Sequence, residues 1–239
     1  MKFYESIHPY YDDLFPLNQK QVDWVNANSN KAPLTILDIG CATGNLAIEL
    51  AKTGHQVNAF DLDGGMIQRA TAKSTGGNPQ FRRANMLHIE KNYRREFFDA
   101  AICFGNTLVH LTSEALIEQF LRAVYAVLKP GALFLIQILN YDYILQNQIK
   151  ELPLIENNKI KFTRRYYFSS GELIQFKTLL EVKESGKLIE NTVELFPLRK
   201  NQIAQLLLKA GFYQFEFRSS FNDEDYSPNS LPLIVKAKK

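Results

Sequence analysis

The stretch "LTILDIGCATGNLAIEL", residues 34–50, decides the fold. An apolar run over 34–39 carries one acidic residue, Asp38. Two glycines four apart, Gly40 and Gly44, follow, and a helical pattern then runs over 45–53. Residues without a Cβ permit the sharp reversal that takes a buried strand into a helix, and turns of this kind at strand ends cradle nucleotide-like ligands.

Working outward, the same alternation repeats. "HQVNAFDLD" (55–63) reads as a second strand ending at Asp61, and "GGMIQRATAKS" (64–74) as a helix. "PQFRRANML" (79–87) and "FFDAAICFGN" (97–106) read as strands. "SEALIEQFLRAVYAVLKPG" (113–131) is a helix with Ser113 as its N-cap, Leu116, Phe120, Val124 and Val127 on one face, and Pro130-Gly131 as its stop. "ALFLIQIL" (132–139) is the next strand. Strands that alternate with helices and are themselves almost continuously apolar predict an α/β fold. Its sheet is doubly wound, mostly parallel and covered on both faces.

After about residue 155 the period changes to two. "NKIKFTRRYYF", "GELIQFKTLLEV" and "KLIENTVELF" read as antiparallel strands joined by "SSGE" and "KESGK" turns. Helical spacing returns at 200–212, and two strands, "FYQFEFRSS" and "LPLIVKAKK", follow. The predicted organisation is an α/β core of residues 1–145 and 197–239 with a small antiparallel β insertion at 146–196.

The 239 residues are 46% hydrophobic, 22% charged and carry a net charge of +3, enough for one sizeable core without the concentrated basic excess of a nucleic-acid surface. The two cysteines, Cys41 and Cys103, and four scattered histidines have neither disulfide-framework nor metal-ligand spacing, so no metal site is expected and a reducing cytoplasm fits. The apolar run at 132–139 is too short to span a bilayer, and the N-terminus lacks the apolar core of a signal peptide. No membrane or nucleic-acid partner is therefore expected.

The glycine turn discriminates among ligands. A dinucleotide fingerprint G-x-G-x-x-G begun at Gly40 has Ala42 and Asn45 at its other glycine places. A P-loop begun there also lacks its second glycine at Asn45, and no lysine follows. The remaining reading is a ligand without phosphates. The pattern D-x-G-x-x-x-G, Asp38 to Gly44, resembles motif I of the class I S-adenosylmethionine-dependent methyltransferases, with Ala42 where that family more often has glycine.

The resemblance implies a seven-stranded Rossmann-like sheet and S-adenosylmethionine as cofactor. Gly40, Cys41, Ala42 and Gly44 would lie along the amino-acid and ribose parts, and Asp38 would bear on the ammonium. Asp61 would accept hydrogen bonds from the ribose hydroxyls, because a carboxylate can accept two at once. The alternative for Asp61 is an N-cap of the following helix, a place that Asp63 fills better. Leu62 and Met66 would flank the adenine. Asn85, where the family usually has Asp, and the Met86 backbone would meet its edge.

"FDAAICFGNTLVHL" (98–111) resembles the family's fourth motif and sets Phe104, Gly105 and Asn106 on the rim where donor and acceptor meet. With "NYDYIL" (140–145) and the β insertion, it is similar to the glycine and sarcosine N-methyltransferase branch, which implies a small-molecule acceptor such as an amine or amino acid. His110 is then the candidate base, with capping or packing as its alternative. Tyr141 and Tyr143 either orient the acceptor or pack under the insertion. Arg164 shares a strand face with Ile160, Phe162, Tyr166 and Phe168, and either binds an acidic group of the acceptor or pairs with a core acid. The N-terminal "FYESIHPYYDDLF" closes over the ligand in this family, so Tyr4, Tyr10 and Tyr11 are lid candidates, Tyr11 against the cofactor, with a helix packed on the sheet as the alternative. Three other activities compete. A NAD-linked oxidoreductase would want the missing glycines, and a non-catalytic S-adenosylmethionine binder would share every motif. A nucleic-acid methyltransferase would want N/D-P-P-Y where this chain reads "FGNT".

Overall fold

The computed structural model describes residues 2–29 and 33–239. Its main sheet has seven strands: β1 (Thr35–Ile39), β2 (Gln56–Asp61), β3 (Gln80–Arg83), β4 (Phe98–Cys103), β5 (Leu128–Leu139), β10 (Gln214–Arg218) and β11 (Pro232–Lys238). Between β5 and β10 the chain forms a second, four-stranded sheet of β6 (Ile155–Glu156), β7 (Ile160–Phe168), β8 (Ile174–Val182) and β9 (Lys187–Leu195). The helices are α1 (Lys2–Ile7), α2 (Tyr11–Leu14), α3 (Gln19–Ala27), α4 (Asn45–Lys52), α5 (Gly64–Lys73), α6 (Ile89–Asn92), α7 (Glu114–Val127), α8 (Tyr141–Gln146) and α9 (Lys200–Ala210). None of them is long and apolar enough to cross a membrane.

The main sheet runs β10-β11-β5-β4-β1-β2-β3, parallel throughout except for β11, which is antiparallel to both neighbours. This is the doubly wound Rossmann-like arrangement. Side chains alternate across each strand, so both faces are buried. Leu37, Ala101, Phe134 and Ile136 pack toward Phe120, Val124 and Leu207, whereas Ile36, Ala100, Ile102 and Leu135 pack toward Val22, Val25 and Leu50. Strand order reverses between β1 and β4, whose register pairs Asp38 with Ile102. The crevice beyond the carboxyl ends at such a reversal is where open α/β sheets bind ligands.

Several predicted boundaries shift. Helix α7 keeps its Ser113 cap, which accepts from the Leu116 amide, but ends at Val127 rather than at Pro130-Gly131. Those two residues lie inside β5. Lys129 precedes a proline and is pushed to extended backbone, so the helix stops before the proline is reached. The strand read over 79–87 is only β3, because the Asn85 side chain accepts from the Leu87 amide and opens a 3-10 turn at Met86–His88. Strand β4 ends at Cys103, since Gly105 and Asn106 both have positive φ.

The N-terminal segment does not lie on the main sheet. Ile7 and Leu14 pack with Ile160, Phe162, Leu180 and Ile189 of the small sheet. Asn191 donates to the Ser6 hydroxyl at 2.8 Å, and Lys159 pairs with Asp13 at 2.9 Å. On its other side Asp12 accepts from Thr43, from Asn45 at 2.9 Å and from Lys73 at 2.9 Å. The segment thus bridges the small sheet and the glycine turn.

Candidate active site

Beneath this bridge lies a cavity of about 690 Å³. The carboxyl ends of β1, β2, β4 and β5 form one side, and the inner face of the small sheet forms the other. Its volume is in the range of small-molecule sites.

The glycine turn is built by tight backbone approach. Gly40 has φ +73° and donates to the Phe60 carbonyl at 2.9 Å, and a Cβ there would sit 2.5 Å from Thr107 Cγ2. Ala42 also takes a left-handed φ, +48°, although it carries a methyl. Its amide donates to Asp61 Oδ2 at 2.9 Å, while Asp61 Oδ1 accepts from the Asp63 amide at 2.9 Å. Asp63 in turn caps α5 by accepting from the Met66 amide. Asp61 therefore braces the turn from the neighbouring strand, and burial raises its pKa against these two hydrogen bonds.

Asp38 is nearly fully buried, and its carboxylate receives no hydrogen bond or ion pair from any described residue. Burial, reinforced by the charge of Asp61, pushes its pKa up to about 7. An isolated buried carboxylate is costly and favours a cationic partner. The donor set thus fits a group that combines a cation, hydroxyls and a flat apolar ring, with Leu62, Asn85 and Met86 at the ring end.

On the β4 side, Phe104, Gly105 and Asn106 line the cavity, and Gln137 Oε1 accepts from the Gly105 amide at 2.8 Å. The Tyr4 hydroxyl lies 2.9 Å from His110 Nε2. Burial lowers the His110 pKa to about 4, so near pH 7 the ring is uncharged and a weak base.

Most predicted site residues line this one cavity: Tyr11, Asp38, Gly40, Cys41, Ala42, Asp61, Leu62, Asn85, Met86, Phe104, Gly105, Asn106, His110 and Arg164. Gly44, Met66 and Tyr141 do not. Gly44 is the N-cap of α4 with φ +78°, where a Cβ would meet Phe81. Met66 is fully buried in α5 and off the lining, leaving Leu62 as the candidate for an adenine contact. Tyr141 is also fully buried, with its hydroxyl accepting from Asn106 at 3.1 Å and its ring packed on Tyr166. Asn106 is committed as well, because its Oδ1 accepts from the Leu139 amide at 3.0 Å. Tyr10 and Tyr143 likewise stay outside the lining, whereas Tyr4 enters it. Arg164 pairs with no acid among the described residues and instead donates to the Pro153 carbonyl at 2.8 Å. Residues on the lining that sequence reading did not single out for the site include Thr43, Arg83, Gln137, Leu152, Phe162, Phe176 and Leu195. Of these, Phe162, Phe176 and Leu195 lie on strands of visible period two, but the period does not say which face meets the cavity.

Residues 36–131 match the family described as "Methyltransferase domain". The glycine/sarcosine N-methyltransferase of Aphanothece halophytica is 25% identical over 80% of this chain and 72% of its own. A methyltransferase structure from Clostridium acetobutylicum superimposes with a TM-score of 0.81 at 19% identity, covering 98% of each chain. The S-adenosylmethionine-bound CalS10, an amino pentose methyltransferase from Micromonospora echinaspora, superimposes with a TM-score of 0.70 at 16% identity, over 100% of this chain and 98% of its own. The switch-point cavity, the braced glycine turn and these likenesses agree: the chain carries a methyltransferase domain over residues 36–131 and is an S-adenosylmethionine-dependent methyltransferase.

Proposed function

We propose that the enzyme methylates an amine nitrogen of a small molecule, with the acceptor held between the donor turn and the small sheet. The observation that carries this reading is the uncharged His110, joined to Tyr4, at the junction of the two halves of the cavity. An amine attacks only when unprotonated. A neutral imidazole and a phenol can orient such a nitrogen by hydrogen bonds without adding a charge that opposes the cationic donor. The names of two similar proteins, a glycine/sarcosine N-methyltransferase and an amino pentose methyltransferase, point the same way.

Bound in the turn, S-adenosylmethionine supplies a methyl on a sulfonium whose departure leaves a neutral thioether. The chain's own residues do the rest by alignment and exclusion of water. In this reading Asp38 faces the ammonium, Asp61 accepts from the ribose hydroxyls, and Leu62, Asn85 and Met86 hold the adenine. Tyr11 covers the donor from the N-terminal segment, and the insertion at 146–196 closes the acceptor side. His110 acts as a positioning hydrogen-bond partner rather than as a strong base.

Calorimetric titration of wild type and Asp61→Ala with S-adenosylmethionine and its demethylated product tests the donor half. Undiminished binding by the variant removes the role given to Asp61. A panel of amines, alcohols and thiols in a methyl-transfer assay tests the acceptor. Turnover confined to an alcohol or thiol overturns the amine reading.

A further inference from the structure

Among the middle rows of the inner face of the small sheet, one is polar on all three strands. In register across β7, β8 and β9 lie Arg164, Thr178 and Asn191. The row on one side is Phe162, Leu180 and Ile189, and the row on the other is Tyr166, Phe176 and Val193. Side chains directly opposite on one sheet face stand about 5 Å apart at Cβ, so each row is a contact unit.

Asn191 is satisfied by Ser6. The others are not. Arg164 Nε, Thr178 Oγ1 and Tyr166 Oη are all buried and have no hydrogen-bond partner. Thr178 and Tyr166 are only 4% and 3% exposed. Buried polar side-chain atoms are nearly always partnered, so three orphans in two adjacent rows are an unfilled requirement rather than scatter. All three can donate, one of them from a cation, and Arg164 and Tyr166 line the cavity. A guanidinium Nε–H with hydroxyl-bearing residues opposite it and in the next row offers the donors that the oxygens of a carboxylate accept from. Phe162, Phe176, Leu152 and Leu195 line the same end and offer only apolar contact.

We infer that the Arg164–Thr178–Tyr166 group receives a carboxylate of the methyl acceptor, and that an apolar body on that acceptor lies against Phe162, Phe176, Leu152 and Leu195. The inference rests on the proposed function for treating this end of the cavity as the acceptor side. It adds the acceptor's class: an apolar carboxylic acid, larger than glycine, that also bears the nitrogen.

The test uses enzyme saturated with the demethylated donor product and two probes, 3-phenylpropanoate and 3-phenylpropanamide, titrated calorimetrically. The carboxylate is expected to bind roughly tenfold or more tightly than the amide, the size of one charge-assisted hydrogen bond. Arg164→Gln should bring the two probes within about threefold, while Arg164→Lys keeps part of the preference. Thr178→Val and Tyr166→Phe should each weaken the carboxylate a few-fold. Unchanged affinity for the donor product in every variant shows that the fold is intact. Equal affinity of the two probes, which would mean that the group holds only water, overturns the inference. So does a preference that survives Arg164→Gln, or the failure of the carboxylate to bind at millimolar concentration. The amine reading fails separately: if the carboxylate preference holds while no amine is methylated, the subsite stands and the acceptor atom is wrong.

Discussion

The hydroxyl of Tyr4 and Nε2 of His110 lie 2.9 Å apart, a hydrogen bond between residues 106 positions apart in the chain. It ties the first helix to the turn after β4, at the point where the N-terminal bridge meets the edge proposed to carry the chemistry. Tyr4→Phe is expected to lower kcat about tenfold, the worth of one positioning hydrogen bond, and to leave donor affinity within roughly twofold. His110→Asn should cost a similar factor, and the double variant little more than either alone, because the two act as a unit. Turnover that survives Tyr4→Phe unchanged removes this pair from the mechanism. With the His110 pKa lowered by burial to about 4, the pH profile of kcat should show no imidazole limb near 6.5.

Asp38 gives the donor site its own pH dependence. Burial, with Asp61 close by, raises its folded pKa to about 7, well above the unfolded carboxylate value. A raised acid binds its proton more tightly in the folded state, so this group's contribution to stability is full at low pH and is lost as pH rises through 4 to 7. His110 works the other way: its contribution is present above about 6.5 and is lost as pH falls toward 4. The clean window for Asp38 is therefore between about pH 6.5 and 7.5, where ligand-free protein should gain thermal stability as pH drops. A cationic donor needs the ionised carboxylate. Its affinity should fall below pH 7 by a factor that approaches about tenfold per unit, with proton release on binding. Asp38→Asn should bind more weakly and without that slope. A slope that persists in Asp38→Asn assigns it to another group.

Ala42 sits at φ +48° with its amide bonded to Asp61, in the place where glycine is more usual. The left-handed conformation costs a residue with a Cβ about 1 kcal/mol or more, while glycine loses about 0.4–1 kcal/mol through the freedom of its unfolded chain. Ala42→Gly should therefore raise stability by about 0.5 kcal/mol, measured by denaturant unfolding, and leave donor affinity nearly unchanged. A loss of more than about 1 kcal/mol would mean that the methyl makes packing contacts worth more than the strain it carries.

The residues proposed for the donor half were legible as a cluster because the pattern is local. Asp38, the glycine turn, Asp61 and Asp63 fall within 26 residues, and strand alternation alone brings the ends of β1 and β2 side by side. Tyr141 and Met66 lie off the cavity lining. Both are close in sequence to the active edge, yet Asn106 takes the Tyr141 hydroxyl inward and the helical period of α5 turns Met66 to the core. Proximity to a motif says nothing of which way a side chain faces.

From the sequence alone came the alternation of strands and helices, the switch from period 3.6 to period 2 after residue 155, and a turn without phosphate-binding glycines. These are properties of neighbouring residues, set by backbone sterics and by which side chains avoid water. The tertiary structure decided what the proposed acceptor end is made of. The Arg164–Thr178–Asn191 row exists only because two hairpins pair β7, β8 and β9 in one register, and a slip of one residue would turn every one of those side chains to the other face. Tyr4 reaches His110 only because α1 packs on β9 through Ile7 and the Ser6–Asn191 hydrogen bond. Contacts across so many residues depend on how whole elements pack, which local pattern does not encode.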